Sequence, residues 1–367
     1  MRRLIARGLR GGAVRFWICV GGIAVSTMLV LVLFGAYRSV SAAVIEFLGR
    51  SRADLWIAPR GTDNLIRSSG LLNLALLDEI RGIRGVARVD PILRAFVTAE
   101  ANGKRLTLLG IRFRAPGGLG GPAVLVSGRL PGGPEEVALD RAAGHLLGAR
   151  LGDHLSLNGM DVKVAGITSG TNLLATQFVF GDLDPTMQTL MPNASFGLVE
   201  ATENAGIEQV GARIRRRFPD LEVMSREAFI ANNLREVGSG FLPMLLLISL
   251  LGVASSALLV AFLIEGVVEE RRGELAVLLA TGATPPVIGA GLAIHAAKLL
   301  IAGIGIGTLA AHLLAATIDR IAPVIPLRYS LTDMAMVAAL LALSGIVAAL
   351  VPLVRLKDID PLEAFRS

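Results

Sequence analysis

Cysteine is almost missing from this chain. The one such residue, Cys19, lies in an apolar run near the N-terminus, so no internal disulfide can staple the large region that follows. The four histidines, His145, His154, His295 and His312, are scattered, and their spacing assembles no metal site. Catalytic signatures are absent too. There is no His-Glu-x-x-His pair for zinc, no Gly-x-Ser-x-Gly elbow and no nucleophilic cysteine with a base at hand. The phosphate-cradling Gly-x-x-x-x-Gly-Lys-Ser/Thr loop is also missing, and the only Gly-Lys pair, Gly103-Lys104, sits in a predicted hairpin. No residue here can be nominated as catalytic, cofactor-binding or metal-ligating.

What the chain has in abundance is apolar residue, 53% of its 367 positions. A helix needs roughly 20 apolar residues to cross the ~30 Å hydrocarbon layer, and lipid requires every backbone polar group to be satisfied within the segment. Four runs meet that length: 16–37, 241–264, 286–318 and 334–354, the third interrupted by His295, Lys298 and His312. The first run could be taken for a signal peptide ending in Ser39-Val40-Ser41-Ala42-Ala43. Its apolar stretch is well beyond the ~7–15 residues of a cleaved signal, which favours a retained anchor.

The formal charge of +6 suggests nucleic acid until the charges are located. Residues 38–240 carry 23 basic and 21 acidic side chains and are nearly neutral. Arg2, Arg3, Arg7, Arg10 and Arg15 precede the first run, the pattern of an anchor on the cytoplasmic side of a bilayer, and nucleic acid is not an expected partner. Residues 1–15 read either as an interfacial amphipathic helix or as a short basic tip. With the N-terminus inside, 38–240 lie outside, 265–285 form a cytoplasmic loop, and the tail 355–367, with Arg355, Lys357 and Arg366, returns to the cytoplasm. The expectation is an inner-membrane α-helical protein with four transmembrane helices and an α+β extracytoplasmic domain between the first and second.

Within 38–240, strands are expected at 54–58, 86–100, 106–111, 136–139, 155–157, 162–167 and 195–199. Helices are expected at 71–81, 141–149, 205–218 and 226–237, the last leading directly into the second span. Asn102-Gly103 and Asn158-Gly159 are strong hairpin turn signals.

Two features inside the spans stand out. Lys298 lies about thirteen residues into an apolar helix, where a charge costs a few kcal/mol unless paired or hydrated, and His295 shares its face. Two readings fit: a contact to an ion or substrate in the protein interior, or side chains that snorkel or cap a neighbouring carbonyl. Gly303 and Gly307 are spaced for close helix contact, and Gly21, Gly22, Ala24 and Ser26 offer the first span a similar small face.

The loop after the second span is the most specific segment. Its charged end is followed by Leu275, Leu278 and Leu279 at helical spacing outside the bilayer core, a surface that headgroups or a protein must cover. Arg271-Arg272-Gly273-Glu274-Leu275-Ala276-Val277-Leu278-Leu279-Ala280-Thr281-Gly282-Ala283 closely resembles the corresponding loop of the FtsX-like permease family of ABC transporters, which includes MacB-type and LolC/LolE-type subunits. Leu279 stands where an arginine is common. The ending Asp360-Pro361-Leu362-Glu363-Ala364-Phe365-Arg366 resembles the family's Asp-Pro-x-Glu-Ala-Leu-Arg. Gly128-Arg129-Leu130, Glu136-Val137-Ala138-Leu139-Asp140, 147–153 and Val164-Ala165-Gly166-Ile167 follow the order of MacB-like extracytoplasmic domains, and 52–61 resembles the DevC subgroup.

The resemblance implies a permease subunit of an ABC exporter for a hydrophobic or amphiphilic substrate, with no motor or cofactor of its own. ATP would be used by a separate cytoplasmic ABC ATPase, and the permease would pair as a homodimer with a membrane-fusion or outer-membrane partner. The loop helix would dock on the ATPase through Glu269, Glu270, Arg271, Arg272 and Glu274, with Leu275, Leu278, Gly282 and Ala283 completing the element. The alternative is an FtsX-like regulator that activates an extracytoplasmic partner without transport. The size of 38–240 favours export.

Overall fold

A computed structural model describes residues 2–65, 67, 70–171, 176–183, 188–189, 192–321 and 327–355. The chain divides into two compact units, a helical one (1–36, 241–320 and 327–367) and a sheet-containing one (37–240 and 321–326).

In the sheet unit, twelve strands are described: β1 (Leu55–Pro59), β2 (Leu72–Asn73), β3 (Val86–Ala101), β4 (Lys104–Phe113), β5 (Val124–Gly128), β6 (Glu136–Asp140), β7 (His154–Leu157), β8 (Met160–Ser169), β9 (Phe178–Asp182), β10 (Asn193–Ala194), β11 (Phe196–Ala201) and β12 (Leu221–Ser225). Ten form one sheet in the order β12-β1-β11-β3-β4-β9-β6-β8-β5, with β7 paired to β3 and β8. The pairs β4/β9 and β6/β8 are parallel and the rest antiparallel. The two hairpins turn where the sequence says they should. Asn102 and Gly103 have φ of 51° and 72°, and Asn158 and Gly159 have 51° and 85°, the left-handed pair that a two-residue turn between twisted strands requires.

Helices α2 (Leu74–Arg81), α3 (Arg141–Leu147) and α4 (Ile207–Arg217) cover parts of the sheet. Leu77 and Ile80 of α2 and Val210 and Ile214 of α4 share a core with Leu55, Ile57, Val89 and Val199. Ala143 and Leu147 of α3 share a second core with Leu108, Leu139 and Val164. Helix α3 begins on Asp140, whose Oδ1 accepts from the amide of Ala142 at 2.8 Å, and stops at Gly148 with φ 68°.

Asp140 is buried, and Thr171 Oγ1 donates to its Oδ2 at 2.6 Å. Burial pushes its pKa above the ordinary carboxylate value, against the pull of the hydrogen bonds from Thr171 and Ala142. The folded chain therefore holds this proton more tightly than the unfolded chain does. The resulting contribution to stability is complete below the ordinary Asp range and is lost as pH rises through the raised pKa. Asp140→Asn keeps the capping acceptor and removes the titrating group, at the cost of turning an amide nitrogen toward the donating hydroxyl and backbone amide of Thr171. The loss of stability that this proton brings as pH rises from about 4, the unshifted Asp range, should therefore be present in the parent and absent from the variant in melting curves taken across pH. A flat pH profile of the difference between the two would refute the assignment.

Two long helices enter this unit at its ends. Helix α1 (Arg2–Gly49) outlasts the expected span of 16–37 because Val40, Val44, Phe47 and Leu48 form a buried stripe at helical spacing. Phe47 meets Phe178 edge-on at 5.2 Å and Phe180 at 6.0 Å. Helix α5 (Arg226–Glu270) starts with Phe229 stacked on Trp56 at 4.2 Å and 15°, with Phe196 edge-on to both. At about 1.5 Å per residue, α1 and α5 are each some 70 Å long, about twice the hydrocarbon thickness.

The helical unit adds α6 (Arg272–Ala280), α7 (Pro285–Ile321) and α8 (Leu331–Arg355). Among the described residues, four helices, α1, α5, α7 and α8, are long and apolar enough to cross a membrane, the spans starting at Ala13, Arg226, Val287 and Leu331. Half of the apolar window of α1 is buried, against a third or less for the other three, which makes α1 the central helix of the bundle. Its Cys19, Val20 and Ile23 pack with Val260 and Ile264 of α5 and Leu292, Ala296 and Leu299 of α7. Further along, Val30 and Leu31 meet Ala311 of α7 and Val337 and Leu341 of α8.

Candidate coupling site at the α5–α6–α7 turn

Helix α5 ends at Glu270, one turn residue follows, and α6 continues, with the amide of Leu275 donating to the carbonyl of Arg271 at 2.9 Å. The stop of α6 is explicit. The amide of Ala283 donates back to the carbonyl of Leu278 at 2.9 Å, and Gly282 between them has φ 96°, a conformation that a Cβ would strain. Thr281 Oγ1 also donates to the carbonyls of Val277 and Leu278. Gly282 and Ala283 thus act in reversing the chain into α7.

The charged residues of the expected docking face lie together on the surface. Arg271 Nη1 is 3.8 Å from Glu274 and Arg272 Nη1 is 3.9 Å from Glu269, both exposed pairs of the kind that contribute little to stability. Glu270 differs. Its carboxylate holds Arg15 of α1 at 3.0 Å, and the Arg15 guanidinium also lies 5.8 Å from the ring of Phe262. That tie was not legible in the sequence, where Arg15 read only as one of five positive charges before a span.

The apolar residues of α6 divide. Leu275 faces inward: only 8% exposed, it joins Ala276, Ile288, Leu292 and the core of α1 and α5. Val277 and Leu278 are about half exposed. One side of α6 is therefore held down by Leu275 and Ala276, while Val277, Leu278 and the charges present an amphipathic face outward. The side chain of Leu279 and the motif at 360–366 lie outside the described residues.

Elsewhere in the spans, the side chains of His295 and Lys298 are exposed on the helical unit, and His295 Nδ1 lies 3.1 Å from the carbonyl oxygen of Gly291 on its own helix. Neither belongs to the interior of this chain. Gly303 and Gly307 face α1. A Cβ on Gly303 would stand 2.6 Å from Ile23 Cγ2, and one on Gly307 would stand 2.5 Å from the carbonyl oxygen of Ala24. Among the described residues, no group of three or more His, Cys, Asp or Glu side chains is arranged to hold a metal ion.

The arrangement is a bundle organised on one helix, a short surface helix between two spans, and a large mixed sheet domain between the first and second spans. Two family models cover most of it: the MacB-like periplasmic core domain matches residues 16–217, more than half of the chain, and the FtsX-like permease C-terminal matches residues 246–361. The chain belongs to the FtsX/MacB-type permease family. Among solved structures, this permease is similar to the extracellular domain of the noncanonic ABC-type transporter YknZ from Gram-positive bacteria, at 14% identity and a TM-score of 0.36, over 47% of this chain and 99% of that one. It is also similar to the periplasmic region of MacB from Actinobacillus actinomycetemcomitans, at 13% identity and a TM-score of 0.36, over 50% of this chain and 94% of that one. A comparison with curated proteins found no match. As an FtsX/MacB-type permease, the chain is a multi-pass membrane protein with an extracytoplasmic domain and the transmission role general to ABC permeases.

Proposed function

We propose that this permease is the membrane subunit of an ABC exporter, of the DevC-like subgroup by its residues 52–61. It passes ATP-driven motion from a separate cytoplasmic ATPase to its extracytoplasmic domain, and so moves a hydrophobic or amphiphilic substrate. The observation that carries the reading is the continuity of α5. One helix runs from the Trp56–Phe229 stack in the sheet domain to Glu270, beside α6. Displacement of α6 by a docked partner would act on that helix directly, since Leu275 and Ala276 share their core with Val260 and Ile264.

In this reading the α5–α6 turn and the outward face of α6, with Glu269, Arg271, Arg272, Glu274 and Leu278, receive the ATPase, and ATP is bound and hydrolysed by that partner rather than by this chain. Glu270 and Leu275 hold the element to α1 and the bundle. Exposed Leu246, Leu250 and Leu258 on α5 offer apolar surface to lipid and to a second copy in a homodimer. The chain sits in the inner membrane with both termini cytoplasmic, and a membrane-fusion or outer-membrane partner meets the extracytoplasmic domain.

Topology is the first test. On a Cys19→Ala background, Lys104→Cys at the exposed start of β4 should react with a membrane-impermeant maleimide added to cells whose inner membrane is intact. Leu278→Cys should react only once that membrane is opened. Labelling of Leu278→Cys from outside would end the proposal.

A further inference from the structure

Contacts between the spans set their relative depths. A Cβ at Gly303 of α7 would meet Ile23 and the carbonyl oxygen of Val20 on α1, and one at Gly307 would meet Ala24 and Thr27. On α5, Leu259 lies against Gly22, and Gly252 faces Ser26 and Val30. Helices rise by about 1.5 Å per residue, so these contacts graduate the bundle like a ruler. Counted back from Gly303, Lys298 stands level with Phe16 and Trp17 of α1. Counted on from Leu259, the same level on α5 falls at Ile264 and Glu265.

That level is a chemical boundary on each helix. On α1 it separates Arg15 from the apolar run that begins at Phe16, and on α5 it separates the run that ends at Ile264 from Glu265. Trp17 is 60% exposed there. Toward the other end of the bundle, the ring of Tyr329 packs against Gly35. Trp and Tyr favour the two edges of a bilayer. The levels of Trp17 and Gly35 lie about 27 Å apart along α1, close to the ~30 Å of the hydrocarbon layer. On α7, 299–318 supplies the roughly 20 residues that a crossing takes, and Asp319 and Arg320 follow at once.

We propose that Lys298 marks the edge of the hydrocarbon on the side of α6 and binds lipid headgroup phosphate there. The first three turns of α7, 285–297, then stand clear of the bilayer core beside α6. Lys298 is exposed, and on the same outward face Gly291 and Gly305 have nothing within 4 Å of a Cβ position. An ammonium turned away from its own bundle is costly in hydrocarbon, and a headgroup phosphate removes that cost. His295, one turn nearer α6, reaches the same layer. Its Nδ1 is 3.1 Å from the carbonyl oxygen of Gly291, which leaves Nε2 for a headgroup or water. Residues 285–297 extend for about 20 Å, against about 5–8 Å for a headgroup layer. Ile288 and Leu292 in those turns share a core with Leu275 and Ala276 of α6, so protein rather than lipid covers them. Neither the depth nor the phosphate contact needs an ATPase, so both stand or fall apart from the exporter reading.

The test uses the full chain in nanodiscs of mixed phosphatidylethanolamine and phosphatidylglycerol. On a Cys19→Ala background, Ile294→Cys should react with a membrane-impermeant maleimide roughly tenfold faster than Gly305→Cys or Ala316→Cys, because the reactive thiolate does not persist in hydrocarbon. Ile294, Gly305 and Ala316 are all exposed on the bundle, so depth is what separates them. A bilayer centred on the whole apolar run 286–318 would invert the order of Ile294→Cys and Ala316→Cys. The phosphate contact is read on the unsubstituted chain labelled with ¹⁵N-lysine, as attenuation of the Lys298 Nζ signal by dipolar coupling to headgroup ³¹P. Lys298 is one of four lysines, and Lys298→Gln assigns its signal. Gly305→Cys or Ala316→Cys reacting as fast as Ile294→Cys would overturn the proposal, and so would a Lys298 signal that ³¹P leaves unattenuated. If a cysteine variant gives no monodisperse peak, the ³¹P result on the unsubstituted chain decides.

Discussion

Reversing two charges on α6, Glu274→Lys together with Arg272→Glu, is expected to abolish stimulation of the partner ATPase while the chain still inserts and folds. Glu274 and Arg272 are exposed, and their pairs with Arg271 and Glu269 are 3.8 and 3.9 Å long. Pairs of that kind contribute about 0–1 kcal/mol, and a lysine in the first turn of α6 loses roughly 0.3–1 kcal/mol against the helix dipole. Neither change reaches the Leu275 anchor, so the bundle has no reason to come apart. An interface that seats these charges against complementary ones would turn two attractions into two repulsions, each costing several kcal/mol if desolvated. The measurement is ATP hydrolysis of the reconstituted pair, with insertion followed by protease protection of the extracytoplasmic domain. Stimulation at the parent level would show that α6 is not the docking element. Leu278→Asp should act in the same direction through the apolar part of the face, whereas Leu275→Ala should loosen α6 from the bundle and lower the folded yield as well.

The second large effect lies in the bundle. Gly307→Leu is expected to prevent α7 from seating on α1 and to reduce the yield of folded protein more than tenfold. A Cβ at 307 would meet the carbonyl oxygen of Ala24 at 2.5 Å, Thr27 Cβ at 2.6 Å and Ala24 Cα at 3.0 Å. Two of those atoms are backbone of the central helix, which cannot swing aside as a side chain end can. Overpacking in a core costs about 1–3 kcal/mol even where neighbours yield, and occasionally more. Gly305 supplies the control on the same helix. Nothing lies within 4 Å of a Cβ there, so Gly305→Ala should be neutral or slightly stabilising, given the roughly 1 kcal/mol helix preference of Ala over Gly. The check is the monodisperse peak of the purified full chain and its melting temperature. Equal behaviour of Gly307→Leu and Gly305→Ala would show that helix propensity, rather than close approach, governs these positions.

Features carried by local chemistry were readable before the fold was known. Runs of apolar residue announced four membrane helices, Asn102-Gly103 and Asn158-Gly159 announced two hairpins, and 226–237 read as a helix entering the second span. The parts that depend on distant partners were not readable. Strands β5, β9 and β12 gave no usable alternation, because β9 is buried along its whole length and β5 is exposed over most of its own. The parallel pairings β4/β9 and β6/β8 join segments whose neighbours in sequence do not specify them. In α6, helical spacing placed Leu275, Leu278 and Leu279 on one surface. Periodicity alone could not say that Ile288 and Leu292 of α7 would cover Leu275 and leave Val277 beside Leu278 outside. Arg15 shows the same limit, since its partner is 255 residues away along the chain.

Pro243 lies inside α5, and α1 has no proline between Arg2 and Gly49. A proline supplies no amide to the turn before it and its ring crowds the carbonyl four residues back, so a helix bends there more readily than elsewhere. The two long helices are thus mechanically unlike: α5 carries a point of easy bending at Pro243, and α1 carries none of that kind between Arg2 and Gly49.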